Sequence, residues 1–169
     1  GSAAIVLDVS ENGHKTRLWF SGDIGRPGLP LISDPAFPDH CDYLMMESTY
    51  GDKSHENLDD AFDEMRSVML RTFERRGKVI IPAFAVGRTQ EIVFALNQMM
   101  QSGDLPRVPV FVDSPLAVKT TDIFIDHKEI FDKETHDFIR QYRHPALNFE
   151  GLRYTRSVEE SKELNNRQD

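Results

Sequence analysis

The apolar pattern in the last two thirds of the chain constrains its fold more than any other feature. Apolar residues recur at three- and four-residue steps over Asn57–Phe73, over Thr89–Met100 and again after Ser114, which predicts three amphipathic helices. Continuous apolar runs at Val79–Ile81 and Val108–Val112 separate these helices and predict strands. Because strands that alternate with helices need crossover connections, this pattern predicts an α/β fold in which helices flank a parallel sheet.

The first fifty residues have a different pattern, that of short strands and turns. Ala3–Val9 and Lys15–Phe20 predict two strands, and the Asn12-Gly13 pair between them is typical of a β-hairpin. Four prolines between residues 26 and 42 exclude a helix or a central strand there, so this segment is predicted to be a surface loop. The apolar run Tyr43–Met46 then predicts a short buried strand.

Further elements are predicted toward the C-terminus. Glu134–Tyr142 has a helical pattern and Leu152–Thr155 favours a short strand. Ser157 and Glu160 have the spacing of a capping box, which predicts the start of a final helix. Ser114, which precedes a proline, is expected to cap the third helix in a similar way.

Composition restricts where the protein works and what it binds. At 169 residues the chain can build one substantial core, or one domain with a piece of another. It has no apolar stretch of bilayer-spanning length and no signal-peptide pattern, so we expect no membrane partner. Cys41 is the sole cysteine, which excludes an internal disulfide and fits a cytoplasmic location. The net charge of −8 argues against a general nucleic-acid binder, although a local basic groove would suffice.

Two acidic turns carry most of the chemical information. The segments Phe20–Arg26 and Glu47–Asp52 each follow an apolar run and place a carboxylate, Asp23 or Glu47, at a glycine-bearing turn. Because turns that follow strands are exposed, the two acids can converge at one edge of a sheet. The simpler interpretation is that both are ordinary turn acids, with Glu47 hydrogen-bonded to nearby backbone amides. Spacing alone favours that simpler interpretation.

The sequence around these turns resembles the β-CASP family of metallo-β-lactamase-fold nucleases, nearest its RNA-processing branch. In that family a Phe/Tyr-Ser/Thr-Gly-Asp turn and a Glu-Ser-Thr-Tyr-Gly turn occur in the same order. The resemblance continues over Gly77–Glu91 and Pro109–Ala117, which are similar to signature segments of the β-CASP insertion. It implies an incomplete β-CASP domain over residues 51–169, with a parallel Rossmann-like sheet flanked by helices. Residues 1–50 would then supply a few strands from the first part of the metallo-β-lactamase domain.

This resemblance implies a zinc-dependent RNA phosphodiesterase as the parent protein. Asp23 matches the aspartate that bridges the family's two zinc ions, and Glu47 matches an acid that orients a histidine and assists proton delivery to the leaving group. The family's His-x-His-x-Asp-His motif is missing, because none of the six histidines belongs to a His-x-His pair. The chain therefore resembles a fragment whose partner is the missing remainder of the metallo-β-lactamase domain. We expect it to bind zinc weakly or not at all when isolated, and to be inactive.

Candidate substrate-binding residues follow the second acidic turn. The hydroxyls of Ser48, Thr49 and Tyr50 can line a phosphodiester substrate, and Gly51 lets the backbone approach a phosphate closely. His55 lies on the same loop and can reach a phosphate or the metal rim. A lone loop histidine is more often an ordinary surface residue, so that interpretation of His55 stays open.

Two further candidates begin predicted helices. Arg88 follows Gly87 at the start of the second helix, so its guanidinium and the helix N-terminus can face the same anion. Ser114 begins the third helix and can serve the same anion while it caps its own helix. Both lie where ligands of parallel sheets bind, beyond the carboxyl ends of the strands.

Other functions remain open at this level. The chain can be a non-catalytic nucleic-acid-binding or protein-interaction module of an inactive paralogue, or part of a DNA-processing member of the same family. A nucleotide-binding α/β domain is disfavoured, because the sequence contains neither a Gly-x-Gly-x-x-Gly motif nor a phosphate-loop lysine motif.

Overall fold

The computed structural model describes residues 3–54 and 57–167. The chain divides into two compact units, a first unit of residues 1–29 and 34–55 and a second unit of residues 30–33 and 56–169. The boundary that the sequence predicts between residues 50 and 51 stays a prediction.

The first unit is a three-stranded sheet. β1 (Ile5–Glu11) pairs antiparallel with β2 (His14–Phe20), and β2 pairs parallel with β3 (Tyr43–Met45). Asn12 and Gly13 connect β1 to β2 with φ angles of 49° and 82°. Positive φ at both central residues is characteristic of a type I′ turn, whose twist matches that of the flanking strands. The predicted hairpin is confirmed.

The prediction that the Tyr43–Met46 run is buried is wrong, although the strand itself forms. The side chains of Tyr43, Leu44 and Met45 are 65%, 55% and 66% exposed. Trp19 is the buried hydrophobic residue of the first unit in the part of the chain that the structure describes. A sheet buries an apolar face only against a second layer, and the described elements of this unit form a single layer.

The second unit contains five α-helices, a short 3-10 helix (Lys128–Ile130) and a small parallel sheet among the described residues. The strands β4 (Val110–Val112) and β5 (Leu152–Tyr154) run parallel. The helices are α1 (Leu58–Glu74), α2 (Arg88–Ser102), α3 (Pro115–Asp126), α4 (Lys133–Tyr142) and α5 (Val158–Leu164). This arrangement confirms the predicted α/β class. None of the described helices is long and apolar enough to cross a bilayer.

Side-chain caps begin several of the helices, and the sequence predicts two of them, Ser114 and Ser157. Asn57 accepts a hydrogen bond from the backbone of α1, and Ser114 does the same for α3. Ser157 accepts the backbone N–H of Glu160, as predicted. The Glu160 carboxylate accepts the N–H of Arg156 rather than that of the capping serine, so the capping box is not reciprocal.

The core of the second unit includes a residue from the proline-rich loop. Leu31 is 0% exposed and packs in the same cluster as Phe94 and Leu147. Its carbonyl accepts the backbone N–H of Asp132 at 3.2 Å. The prediction that residues 26–42 form only a surface loop is therefore wrong at Leu31. Prolines exclude regular structure, but they do not prevent one apolar side chain from entering a core.

The predicted strand at Val79–Ile81 is not observed. The described residues from Gly77 to Phe84 form no helix or strand, and Ile80 is 89% exposed. Val79 packs against the core through its side chain. A strand exists only when its backbone pairs with a neighbour, and β4 pairs with β5 instead. An apolar run supplies the side chains for a strand but not the pairing partner.

Candidate functional site

Ser21 joins the ends of β2 and β3. It is 2% exposed, its N–H donates to the Met45 carbonyl at 2.9 Å, and its hydroxyl accepts the Glu47 N–H at 3.0 Å. The hydroxyl also donates to the Gly22 carbonyl at 2.6 Å. These bonds continue the parallel pairing past both strand ends and fix the start of the second acidic turn. The sequence assigns Ser21 no role of its own beyond its place in the first acidic turn, and the signal that points to it is a polar residue directly after an apolar strand.

The Glu47 carboxylate is held by local donors. The Thr49 hydroxyl donates to Oε2 at 2.6 Å and lowers the pKa of Glu47 below its ordinary value. Desolvation opposes this shift with a smaller effect than the Thr49 hydroxyl, and the backbone N–H groups of Thr49, Gly25 and Ile24 add minor contributions that lower the pKa. The bond from the Glu47 N–H to the Ser21 hydroxyl places this residue beside the turn that contains Asp23. Glu47 thus has the hydrogen bonds of a strand-end acid and also lies beside the Asp23 turn.

Asp23 itself is exposed, which leaves its oxygens accessible to a ligand. In residues 3–54 and 57–167, no group of three or more His, Cys, Asp and Glu side chains is arranged to hold a metal ion. Zinc in proteins takes three or four nitrogen, oxygen or sulfur ligands from side chains. The described residues therefore do not fit a complete zinc site, and the role of Asp23 as a zinc ligand stays a prediction.

The hydroxyl residues after Glu47 form a turn of their own. The Ser48 carbonyl accepts the Gly51 N–H at 3.1 Å, and the Tyr50 carbonyl accepts the Lys53 N–H at the same distance. The Lys53 ammonium lies 5.7 Å from the centre of the Tyr50 ring, a cation–π distance, and Tyr50 is 58% exposed. Of the three hydroxyls, that of Thr49 is engaged by Glu47. His55 lies outside the described residues.

A tight turn precedes Arg88. Gly87 has φ 81° and ψ −73°, and the Arg88 N–H donates to the Val86 carbonyl at 3.1 Å. These values define a classic γ-turn, a rare and strained conformation that glycine tolerates best. The Arg88 side chain is 56% exposed, and its Nη1 lies 2.8 Å from Oε2 of Glu91. A phosphate at this helix start would therefore meet a guanidinium that already has a carboxylate neighbour.

Ser114 caps α3 as predicted. Its hydroxyl accepts the Ala117 N–H at 3.2 Å. The residue before it, Asp113, accepts hydrogen bonds from the Thr155 hydroxyl at 2.6 Å and the Ser161 hydroxyl at 2.8 Å. Asp113 therefore connects the end of β4 to the residues that follow β5. The role of Ser114 in anion binding stays a prediction.

A groove of about 530 Å³ lies among residues of α1, α2 and α4. None of the residues that the sequence singles out as candidates lines it. Its wall contains the Arg66 guanidinium and the carboxylates of Asp63, Asp104, Glu134 and Asp137. This excess of carboxylates disfavours a phosphate backbone, which binds clustered cations.

Comparison with known proteins settles which family this fold and these turns represent. Residues 89–169, from the first turn of α2 to the end of the chain, match the family model described as the Beta-Casp domain. The chain belongs to the β-CASP family. The predicted fold, a β-CASP α/β arrangement with additional strands at the N-terminal side, is thereby confirmed.

Curated relatives extend the similarity beyond the family model. Ribonuclease TTHA0252 of Thermus thermophilus is 33% identical over 165 residues, which cover 98% of this chain and 37% of the relative. The RNase J-like protein of Methanocaldococcus jannaschii is 37% identical over 135 residues, covering 75% of this chain and 30% of the relative. Cleavage and polyadenylation specificity factor 73 of Drosophila melanogaster is 29% identical over 126 residues, covering 73% and 18%. The chain thus spans a third or less of the length of most of these β-CASP relatives.

Proposed function

We propose that this chain is part of a ribonuclease that hydrolyses phosphodiester bonds in RNA. Membership of the β-CASP family supports this proposal, as do the names of the relatives ribonuclease TTHA0252 and RNase J-like protein. The observation that carries it is the position of Glu47, whose N–H donates at 3.0 Å to the hydroxyl of Ser21, two residues before Asp23. A metal ligand and the carboxylate that accompanies it in catalysis have to lie close together. Asp23 and Glu47 follow the ends of the paired strands β2 and β3 and meet this requirement.

The two acids take different roles in this proposal. Asp23 is exposed and is proposed as a metal ligand. Glu47 has a lowered pKa and is therefore an anion at neutral pH, so it acts as a hydrogen-bond acceptor that orients an N–H group rather than as a proton donor. Zinc dependence belongs to the proposal, but no zinc-dependent step is assigned to the described residues because they do not fit a complete site. The isolated chain is accordingly proposed to be inactive.

On the substrate side, Arg88 and Ser114 are proposed to bind phosphate at the starts of α2 and α3. A guanidinium is suited to an RNA phosphate, and it carries the proposed contact at α2, where the N–H groups of Arg88 and Thr89 already donate to the carbonyls of Val86 and Phe84. Ser48, Thr49 and Tyr50 are proposed to line the substrate on the Glu47 turn, with the remainder of the metallo-β-lactamase domain as the partner that completes the site.

Cleavage of a fluorogenic RNA tests the proposed reaction. We expect the protein expressed from its complete gene to cleave this RNA, and Asp23→Ala to reduce cleavage by about 100-fold or more. Asp39→Ala is the matched control, because Asp39 is an equally exposed loop acid of the same unit that has no role in the proposal. Equal cleavage by the Asp23→Ala and Asp39→Ala proteins would refute the role of Asp23. Turnover by residues 1–169 alone would refute the proposed inactivity of the isolated chain.

A further inference from the structure

Gln90 is a fully buried amide at the start of α2. It is 0% exposed, and its Oε1 accepts the Gly87 N–H at 2.8 Å. Its Nε2 donates to the Ala85 carbonyl at 3.1 Å and to the Thr121 hydroxyl at 3.0 Å, with the Ala117 carbonyl at 3.4 Å. One side chain therefore binds both sides of the turn before Arg88 and also the first turns of α3.

The same hydrogen bonds lead on to Ser114. The Thr121 hydroxyl accepts from Gln90 and donates to the Ala117 carbonyl at 2.8 Å. The Ala117 N–H in turn donates to the Ser114 hydroxyl at 3.2 Å. A continuous polar path thus runs from Gly87 through Gln90 to the cap of α3. It connects the starts of α2 and α3, which the sequence indicates as candidates for binding the same anion.

The segment that Gln90 holds is strained. The γ-turn at Gly87 is a conformation that persists only when its surroundings determine it. A second clamp closes the loop from the other side, because the Thr89 hydroxyl donates to the Phe84 carbonyl at 2.8 Å. This clamp is exposed, whereas the Gln90 amide is buried and has no access to water as an alternative partner. Removal of the amide would therefore leave the half-buried Gly87 N–H and Ala85 carbonyl without these partners, and the turn would relax.

We propose that Gln90 is a positioning residue for the binding of substrate phosphate. Gln90 fixes the γ-turn, and it thereby holds Arg88 and the Ser114-capped start of α3 in the relative positions that one RNA backbone requires. This inference rests on the proposed function. Gln90 does not touch the substrate, and it acts through the two helix starts that it connects. An apolar side chain of the same length would fill the same volume but would not hold the turn.

Binding of a fluorescein-labelled single-stranded oligouridylate, followed by fluorescence anisotropy over a range of salt concentrations, tests this inference. All proteins are expressed from the complete gene with Asp23→Ala, which suppresses cleavage, and are measured below their unfolding temperatures. We expect Arg88→Ala and Gln90→Met each to weaken binding by about tenfold. Each should also reduce the slope of log Kd against log salt by about one. The double variant should bind less weakly than the sum of the two single effects predicts, because part of the Gln90 effect passes through Arg88.

Two further variants separate positioning from general stability. Asn97 is also a 0% exposed amide of α2, and it donates to the carbonyls of Pro145 and Ala146 at 3.0 and 2.9 Å. Asn97→Leu should lower stability as Gln90→Met does, but leave RNA affinity and its salt slope unchanged. Thr121→Val removes one acceptor of Gln90 at nearly constant shape and should weaken binding less than Gln90→Met.

The outcomes separate this inference from the proposed function. If Arg88→Ala weakens binding but Gln90→Met does not, or if Asn97→Leu weakens it as much as Gln90→Met, the role of Gln90 is overturned while the phosphate site stands. If the Arg88 and Gln90 effects add, Gln90 acts independently of Arg88 and the inference again fails. Absence of any Arg88→Ala effect overturns both the phosphate site and the role of Gln90.

Discussion

Replacement of Ser21 by alanine tests whether the two acidic turns form one site. The Ser21 hydroxyl is the acceptor for the Glu47 N–H at 3.0 Å and the donor to the Gly22 carbonyl at 2.6 Å. Alanine removes both bonds without adding volume, in a residue that is 2% exposed. The backbone N–H of Glu47 then has no acceptor at this position, and the link between the two turns is lost.

The expected cost follows from the hydrogen bonds that are lost. A typical hydrogen bond contributes about 0.5–1.5 kcal/mol, and the Glu47 N–H that loses its acceptor is half-buried, so Ser21→Ala should lower the free energy of unfolding by about 1–2 kcal/mol. The displaced Glu47 should lower RNA cleavage by the complete protein by about 10- to 100-fold, the usual effect of a misplaced catalytic group. Ser21→Thr keeps the hydroxyl and should retain most of both properties.

Denaturant unfolding and the fluorogenic RNA assay measure the two effects separately. Ser10→Ala is the matched control, because Ser10 is an exposed serine of β1 and its loss should change stability by less than about 0.5 kcal/mol. If Ser21→Ala matches Ser10→Ala in both assays, Ser21 does not hold the turns together. If Ser21→Ala is destabilised but cleaves RNA at the wild-type rate, the turns are joined but Glu47 has no part in catalysis.

Two further predictions concern Glu47 and the core. Thr49→Val removes the donor that lowers the pKa of Glu47, so this pKa, followed by NMR of the Glu47 side chain, should rise toward its ordinary value. A carboxylate whose pKa is lowered by folding stabilises the protein at pH values above its unfolded pKa of about 4.3, and this stabilisation is lost as the pH falls through the folded pKa. Thr49→Val should therefore reduce the loss of stability in acid. An unchanged Glu47 pKa would contradict the assigned cause. Leu31→Ala should lower the free energy of unfolding by about 2–5 kcal/mol in a denaturant titration because Leu31 is 0% exposed, whereas the 55% exposed Leu44→Ala control should cost far less. Equal costs for these two leucines would contradict the burial of Leu31.

Local signals were sufficient for the elements that local chemistry determines. The Asn12-Gly13 turn specifies its hairpin because few residues adopt positive φ, and that requirement does not depend on the rest of the fold. Helix starts at Asn57, Ser114 and Ser157 were predictable for a similar reason, since a capping side chain bonds within its own first turn.

The errors arose where the outcome depends on distant partners. Val79–Ile81 has the composition of a strand, but pairing is decided by which backbone lies beside β4, and that is β5. The burial of β3 was misjudged because an apolar run does not reveal whether a second layer covers it. Ser21 and Gln90 were missed for the same reason, because their bonding partners are up to 31 residues away in sequence.

The burial of Leu31 bears on how this protein can be divided for study. Residues 30–33 belong to the second unit, although the chain before and after them belongs to the first. A piece that begins at residue 51 would therefore lack Leu31, a side chain of its own hydrophobic core. Leu31 also has a φ of 87°, which leucine rarely adopts. The second unit is thus discontinuous in sequence, and a single cut cannot release it whole.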